Sequence, residues 1–295
     1  MLTLNLVGAG RVGQTLGRLW QTQGVFALQD VLTRSPSSAQ AACTFMGGGT
    51  AVHAMASLRA ADVWMLAVPD AAIAQTAHGL AQALAEGALP ASNATSGASR
   101  PPVVFHCSGA QSALQLQPLA DRGWTTASAH CILSFASPQD APAQFPGTAC
   151  ALEGSAPALQ VLQPAFASIG AQCFTVQSQD KLLYHAAAVF ATNFLPVLQS
   201  VAEAAWQASG VPAELLPSLR SALLHNAVAN ITRLGPAGAL TGPAARGDVA
   251  AIATQAQAVR QWDAQAGAAY EALSALALRL AKSSTETKAS TASTR

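Results

Sequence analysis

Charge is scarce in this chain. Asp, Glu, Lys and Arg make up 10% of its 295 residues and nearly cancel, leaving a net charge of +1. Without a basic stripe to displace counterions from a phosphate backbone, binding to DNA or RNA is excluded as an expectation. Cysteine is sparse and unpatterned: Cys43, Cys107, Cys131, Cys150 and Cys173 are odd in number and scattered, which speaks against a disulfide framework and for reduced thiols. Long apolar runs are missing although 51% of residues are hydrophobic. The richest, Ala186 to Leu198, is broken by Thr192, Asn193 and Pro196 and falls short of a bilayer, so no membrane span is expected. The N-terminus lacks a basic segment and a separate apolar plug. Met1 to Val7 runs straight into a glycine turn, and a cytoplasmic rather than exported protein is expected.

What is present is alternation. In the first half, short runs rich in Val, Leu and Phe alternate with alanine-rich amphipathic segments, the pattern of strand-helix units in a parallel sheet. Strands are expected at Leu2–Val7, Ala27–Thr33, Gly49–Val52, Val63–Val68, Val103–Cys107, Thr125–His130, Thr148–Leu152 and Gln172–Val176, with a surface loop between Ala88 and Pro102. Beyond Val176 the period changes, and Asp180–Ser209, Glu214–Leu234 and Val249–Lys282 read as long helices. The expected architecture is α/β: a Rossmann domain over residues 1–178, an all-helical domain over 179–282, and a disordered tail over 283–295 that cannot bury enough surface to offset its ordering entropy.

Gly8-Ala9-Gly10-Arg11-Val12-Gly13 follows the first strand directly and opens a helix. Gly8 permits the tight turn, Gly10 admits a pyrophosphate to the backbone, and Gly13 lets helix and strand pack closely, while the amides and dipole at Arg11 and Val12 attract phosphate. At the tip of the second strand an NAD-selective site would carry an acidic residue. Here Thr33-Arg34-Ser35 offers a guanidinium and a hydroxyl, suited to a 2′-phosphate, so the expected cofactor is NADP. Val68 and Pro69, after the fourth strand, would border the nicotinamide; Asp70 reads as an N-cap for the helix that follows.

Candidates for chemistry lie at strand ends and on the facing helix. After the fifth strand, Ser108 can orient a substrate oxygen and Gly109 can let a ligand approach, with His106 either structural or functional. On the first long helix His185 is a candidate proton donor, and Asn193, eight residues on, shares roughly its face as an orienting amide; the alternative is helix packing. Thr241 and Arg246, in the loop before the last helix, could contact an anionic substrate or stabilise the loop, and Asp248 is a natural N-cap. The pairs His106-Cys107 and His130-Cys131 invite a metal, but their spacing is unlike a zinc module and no metal is expected.

The motifs GAGRVG at 8–13, LAVPD at 66–70, HCSGA at 106–110, YHAAAVFATN at 184–193 and ALTGPAARGD at 239–248 resemble those of Rossmann-like proteins whose helical C-terminal half is a domain of unknown function, DUF2520, grouped with NADP oxidoreductases. The layout is more distantly similar to ketopantoate reductase, pyrroline-5-carboxylate reductase and the 3-hydroxyacid dehydrogenases. That resemblance implies a helical domain like the C-terminal domain of 6-phosphogluconate dehydrogenase, which covers the nicotinamide and builds a homodimer, and a reductase acting on a small keto acid or imine. Two departures stand out. The 3-hydroxyacid dehydrogenases carry a lysine about one helical turn before a helix asparagine; with Asn193 as that asparagine the matching residue is Val189. The family's His-Pro after the sixth strand is His130-Cys131 here. The absent lysine motivates a second reading, a non-catalytic NADP-binding sensor or scaffold.

Overall fold

The computed structural model describes residues 1–89 and 100–292. The chain divides into two compact units, Met1–Val189 and Phe190–Arg295, a later join than the one expected at residue 178 because the first two turns of the first long helix belong with the sheet.

In the first unit eight strands form one sheet in the order β3-β2-β1-β4-β5-β6-β7-β8. They span β1 Leu2–Val7, β2 Phe26–Leu32, β3 Thr50–Val52, β4 Val63–Leu66, β5 Val103–His106, β6 Thr125–Cys131, β7 Ala149–Gly154 and β8 Gln172–Thr175. Each lies within a residue or two of its expected position, because β-branched and aromatic runs bounded by turn residues have few other solutions. The surface loop expected at 88–102 falls mostly on residues 90–99, outside the described residues.

Helices α1 Arg11–Gln23, α2 Pro36–Met46 and α4 Ala156–Ser168 cover one face of the sheet, with Leu4, Leu6, Val63, Met65, Val103 and Phe105 pointing into that core. The alternate residues Val7, Trp64, Leu66 and Val104 point to the other face, under α3 Ile73–Ala85. A strand buried on both faces reads as a continuous apolar run, which is why Val63-Trp64-Met65-Leu66 shows no alternation.

One expectation is corrected by the register. The sheet is not parallel throughout: β7 runs antiparallel to β6, pairing Ser128 with Glu153 and Cys131 with Cys150. The link from β6 to β7 holds only a four-residue helix at Ala141–Gln144, and a parallel crossover requires a longer covering element.

Helix α5, Lys181–Ala188, closes the first unit. Its continuation, a π turn at Val189–Asn193 followed by α6 Phe194–Ala208, makes the helical stretch Ser178–Ala208 long and apolar enough to cross a membrane by length and composition. This corrects the expectation that no segment reaches that length: the folded helix extends past both ends of the apolar run.

The second unit continues with α7 Leu216–Ala239, interrupted at Gly235 (φ +70°) before Pro236. The single helix expected over Val249–Lys282 is two, α8 Val249–Trp262 and α9 Ala264–Ala292. Asp263 adopts an extended backbone between them and accepts from the amide of Ala266 at 2.7 Å, an N-cap in mid-pattern that periodicity alone does not register. Asp248 caps α8 through the amide of Ala251, as expected. The described backbone of α9 runs through most of the stretch expected as a tail. Of the described residues in this unit, only Leu216 and Ala256 are buried apolar side chains.

Candidate active site

Strand order reverses where β1 pairs with β2 on one side and β4 on the other, and open α/β sheets bind ligands in the crevice at such a point. The glycine turn sits there. Gly8 has φ +85°, and a Cβ on it would stand 2.7 Å from the carbonyl oxygen of Ala67. At Gly13 a Cβ would meet Ala67 Cβ and Gly8 O at 3.0 Å. Gly10, by contrast, faces open space, with nothing within 4 Å of a Cβ built on it. Gly8 and Gly13 therefore serve packing, while Gly10 leaves a cradle at the amino end of α1, beside Arg11 and Val12, of the kind a diphosphate fills.

At the tip of β2 Arg34 is exposed. Ser35 is the N-cap of α2, its hydroxyl accepting from the amide of Ser38 at 3.3 Å. Asp30, inside β2, is buried and clamped by Arg59 at 2.6 Å, so it is spent on the sheet.

Beyond β4 and β5 lies a polar cluster. The expectation for Asp70 is corrected: it makes no side-chain capping bond, and its carboxylate accepts from Ser108 Oγ at 2.6 Å. The Ser108 hydroxyl also accepts from the amides of Ala110 and Gln111, so its one proton goes to Asp70 and it shapes the 108–112 loop. His106 is fully buried; its Nδ1 accepts from the Ser108 amide at 3.2 Å and its Nε2 lies 3.0 Å from Ser112 O. Burial pushes its pKa down, and the two contacts together fit a neutral ring protonated on Nε2, a structural brace for the loop.

The residue that sequence reading missed is Lys181. Its side chain is 1% exposed, with Nζ donating to Ser128 Oγ at 2.8 Å and to Ser108 O at 3.2 Å. Ser128 Oγ passes the chain to Glu153 Oε2 at 2.9 Å, and Glu153 also accepts from the amide of Ala113 and from Ser178 Oγ at 2.6 Å. The strand register explains the assembly: His106, Ser128 and Glu153 are cross-strand neighbours on β5, β6 and β7. Burial pulls the Lys181 pKa down, opposed by the charges of Glu153 and Asp70. A signal existed, since Lys181 stands one helical turn, i to i+4, before His185. Taking Asn193 as the helix anchor hid it.

On the same helix Tyr184 Oη lies 2.8 Å from His130 Nδ1, and the His130 and His185 rings are 5.6 Å apart. Burial drives His130 down to about 4, with help from the charges of His185 and Lys181, and raises Tyr184 to about 12. Gly109 sits between the rings. Among the described residues two buried side-chain polar atoms lack a hydrogen-bond partner, Gln111 Oε1 and His185 Nδ1, and both border this loop. Because Gln111 Nε2 donates to the Asp70 carbonyl, its free atom is an acceptor.

The structure thus brings Ser108, Gly109 and His185 together in the first unit, with Val68 and Pro69 following β4. Asn193, Thr241 and Arg246 belong to the second unit and are exposed. The π turn widens the helix between His185 and Asn193, so their eight-residue spacing no longer equals about two α-helical turns. Cys131, Cys150 and Cys173 share one row across β6, β7 and β8, with Cys131 and Cys150 Sγ atoms 3.6 Å apart. All five thiols are free, and burial raises Cys107 to about 12. Among the described residues no three His, Cys, Asp or Glu side chains are grouped to hold a metal ion.

Comparison with known proteins bears on the fold. The Rossmann-like domain family model matches residues 1–131, and that of the domain of unknown function DUF2520 matches residues 148–277. The chain is a Rossmann-like protein with a DUF2520 domain. Its fold is similar to that of TM1727 from Thermotoga maritima, at 23% identity and a TM-score of 0.73 over 96% of this chain and 99% of that one. It is also similar to BF3122 from Bacteroides fragilis, named as a candidate NADP oxidoreductase, at 19% identity and a TM-score of 0.67 over 94% and 98%. A reductive aminase from Aspergillus terreus, in complex with NADPH and ethyl-5-oxohexanoate, is similar at 16% identity and a TM-score of 0.61 over 95% and 94%. No curated protein sequence matches the chain.

Proposed function

We propose that this Rossmann-like DUF2520 protein is an NADP(H)-dependent oxidoreductase acting on a small keto acid or imine. The observation that carries the reading is the open cradle at Gly10, set between two tightly packed glycines at the reversal of strand order. Amides of the Gly8–Gly13 turn, at Arg11 and Val12 among them, hold the diphosphate, and the exposed Arg34 guanidinium receives the 2′-phosphate. Ser35 acts by starting α2 behind it, and Val68 and Pro69 border the nicotinamide. When bound, the cofactor supplies or accepts a hydride.

Around the reacting centre His185 gives or takes the proton, and Gly109, against which the His130 and His185 rings pack too closely for a Cβ, lets the 108–112 loop lie beside them rather than admitting substrate itself. Ser108 positions the loop through Asp70. Asn193, Thr241 and Arg246 retain the substrate-orienting roles proposed for the helical unit. The NADP oxidoreductase name of BF3122 and the NADPH complex of the reductive aminase support the choice of chemistry. A homodimer through the helical unit, in the cytoplasm, completes the reading; the dimer is supported by the near absence of buried apolar side chains among the described residues of that unit while Leu223, Val228, Ile231, Leu273 and Leu276 stand exposed.

Titration calorimetry with NADPH and NADH tests the cofactor. NADPH should bind at least tenfold more tightly, and Arg34→Asp should remove that margin. Equal affinities refute the 2′-phosphate assignment, and no heat with either nucleotide refutes the whole reading. Tight NADPH binding without turnover of any keto acid or imine would favour a sensor instead.

A further inference from the structure

Three of the five cysteines stand in a line. Cys131 on β6 pairs with Cys150 on antiparallel β7, and Cys150 pairs with Cys173 on parallel β8, so the three thiols lie on one face of the sheet with Cys150 in the middle. Cys131 and Cys150 are buried, whereas Cys173 is half-exposed on the strand that ends the sheet. We propose that this row is an oxidation site for a low-molecular-weight disulfide such as oxidised glutathione: Cys173 takes up the oxidant, and the cross-link comes to rest between Cys131 and Cys150. The inference is independent of the oxidoreductase reading.

The backbone ladder decides where the cross-link rests. Ile132 N donates to Ala149 O at 2.8 Å and Ser155 N to Thr126 O at 2.9 Å. Hydrogen-bonded pairs alternate with non-hydrogen-bonded ones along an antiparallel ladder, so with 132/149 and 126/155 bonded, Cys131 and Cys150 form a non-hydrogen-bonded pair. Pairs of that kind bring their Cα atoms to about 4.5 Å, inside the range of about 4.4–6.8 Å that disulfides span, and hold their side chains closest. The two Sγ atoms are 3.6 Å apart, so bond formation needs side-chain rotation and little backbone movement. Cys150 and Cys173 are also in thiol contact, but their parallel pairing lacks that close approach. Cys43, on α2, and Cys107, after β5, stand outside the row.

The row also sets the direction of attack, because thiol–disulfide exchange runs with the attacking, central and leaving sulfurs in line. Cys173 attacks the small disulfide, whose S–S bond breaks; one half leaves as a thiol with the Cys173 proton, and the other stays on Cys173. Cys150 then attacks Cys173 Sγ from the sheet side, expelling the second small thiol, with the Cys150 proton, away from the sheet. Cys131 attacks Cys150 Sγ from the side opposite Cys173, and its proton returns Cys173 to a thiol. In sum Cys131 and Cys150 lose two electrons and two protons, and the small disulfide is reduced to two thiols. Contact with Cys131 holds the Cys150 thiol above its ordinary value, and contact with Cys150 does the same to Cys173, so thiolate is scarce and the exchange is slow, suited to sustained oxidant. Cys131 follows His130, so the cross-link forms at the strand end that carries that ring.

Incubating the full chain with oxidised glutathione, blocking the remaining thiols and mapping the peptides by mass spectrometry tests this. The parent protein should end with a Cys131–Cys150 disulfide while Cys43 and Cys107 stay free. Cys173→Ser, at a half-exposed position that leaves the core untouched, should slow that product at least tenfold. Cys150→Ala should stop with glutathione on Cys173, and Cys131→Ala with a Cys150–Cys173 disulfide. Should either buried variant fail to fold, the parent and Cys173→Ser decide the matter between them. A parent protein that keeps all its thiols, or that comes to rest at Cys150–Cys173, overturns the proposal. So does a Cys173→Ser protein oxidised at the parental rate, which removes the entry point, or Cys43 modified as fast as the row, which shows that the chain has opened.

Discussion

Replacing Glu153 by Gln should destabilise the sheet unit more than replacing Lys181 by Met, and the two changes together should cost less than their sum. Lys181 is an almost fully buried cation whose Nζ bonds are to neutral oxygens, Ser128 Oγ and Ser108 O. Its charge is balanced at one remove by Glu153 and Asp70. In Glu153→Gln the shape is kept but the larger of those balancing charges is gone. Breaking a buried pair from one side costs roughly 3–5 kcal/mol, and the remaining charge of Asp70 brings the expectation to about 2–4 kcal/mol. In Lys181→Met two hydrogen bonds are lost, while Glu153 still accepts from Ala113 N, Ser128 Oγ and Ser178 Oγ. At about 1 kcal/mol each, with the Ser108 carbonyl left unpaired, about 2 kcal/mol is expected. The double variant holds neither charge and should recover about 1–2 kcal/mol of coupling. Urea unfolding of the four proteins, followed by fluorescence of the buried Trp20 and Trp64, measures the cycle. Additivity to within about 0.5 kcal/mol would refute the electrostatic coupling, and a Lys181→Met protein as stable as the parent would show the lysine to be filler.

Three further outcomes are expected. Gly8→Ala, forced into φ +85° against Ala67, should lower stability by about 2 kcal/mol or more, whereas Gly10→Ala should leave stability unchanged and weaken NADPH binding at least tenfold, as thermal melts with and without nucleotide will read. Because His130 titrates near 4 when folded and near its ordinary value when unfolded, the unfolded chain takes up a proton first as pH falls. The stability present above about pH 6.5 should therefore decline towards pH 4 by about 2 kcal/mol, a figure discounted for the ring's partial exposure, and His130→Phe should flatten that part of the profile. Sedimentation velocity at micromolar concentration should find a dimer, and Ile231→Glu, placing charge on the exposed apolar surface of α7, should shift it to monomer; a monomeric parent protein contradicts the association.

The eight strands were legible because each is a local event. A run such as Val63-Trp64-Met65-Leu66 must be covered on both faces whatever its neighbours are, and Gly8, Gly10 and Gly13 follow a strand at a spacing that serves one kind of turn. The switch of period after Val176 marked the helical half in the same way, and Asp248 could be named as a cap from its position alone. Contacts distant in sequence were not legible. The antiparallel direction of β7 sets Glu153 opposite Ser128, and nothing along the chain announces it. That single reversal assembles the carboxylate which lets Lys181 be buried through Ser128. Asp70 looked like a cap because a helix follows it, but Ser108, thirty-eight positions away, claims its carboxylate. Pairing and burial belong to positions in space, and a charged or aromatic side chain means one thing in water and another with its partners fixed around it; His130 and Tyr184 became hydrogen-bond partners only when β6 and α5 were laid side by side.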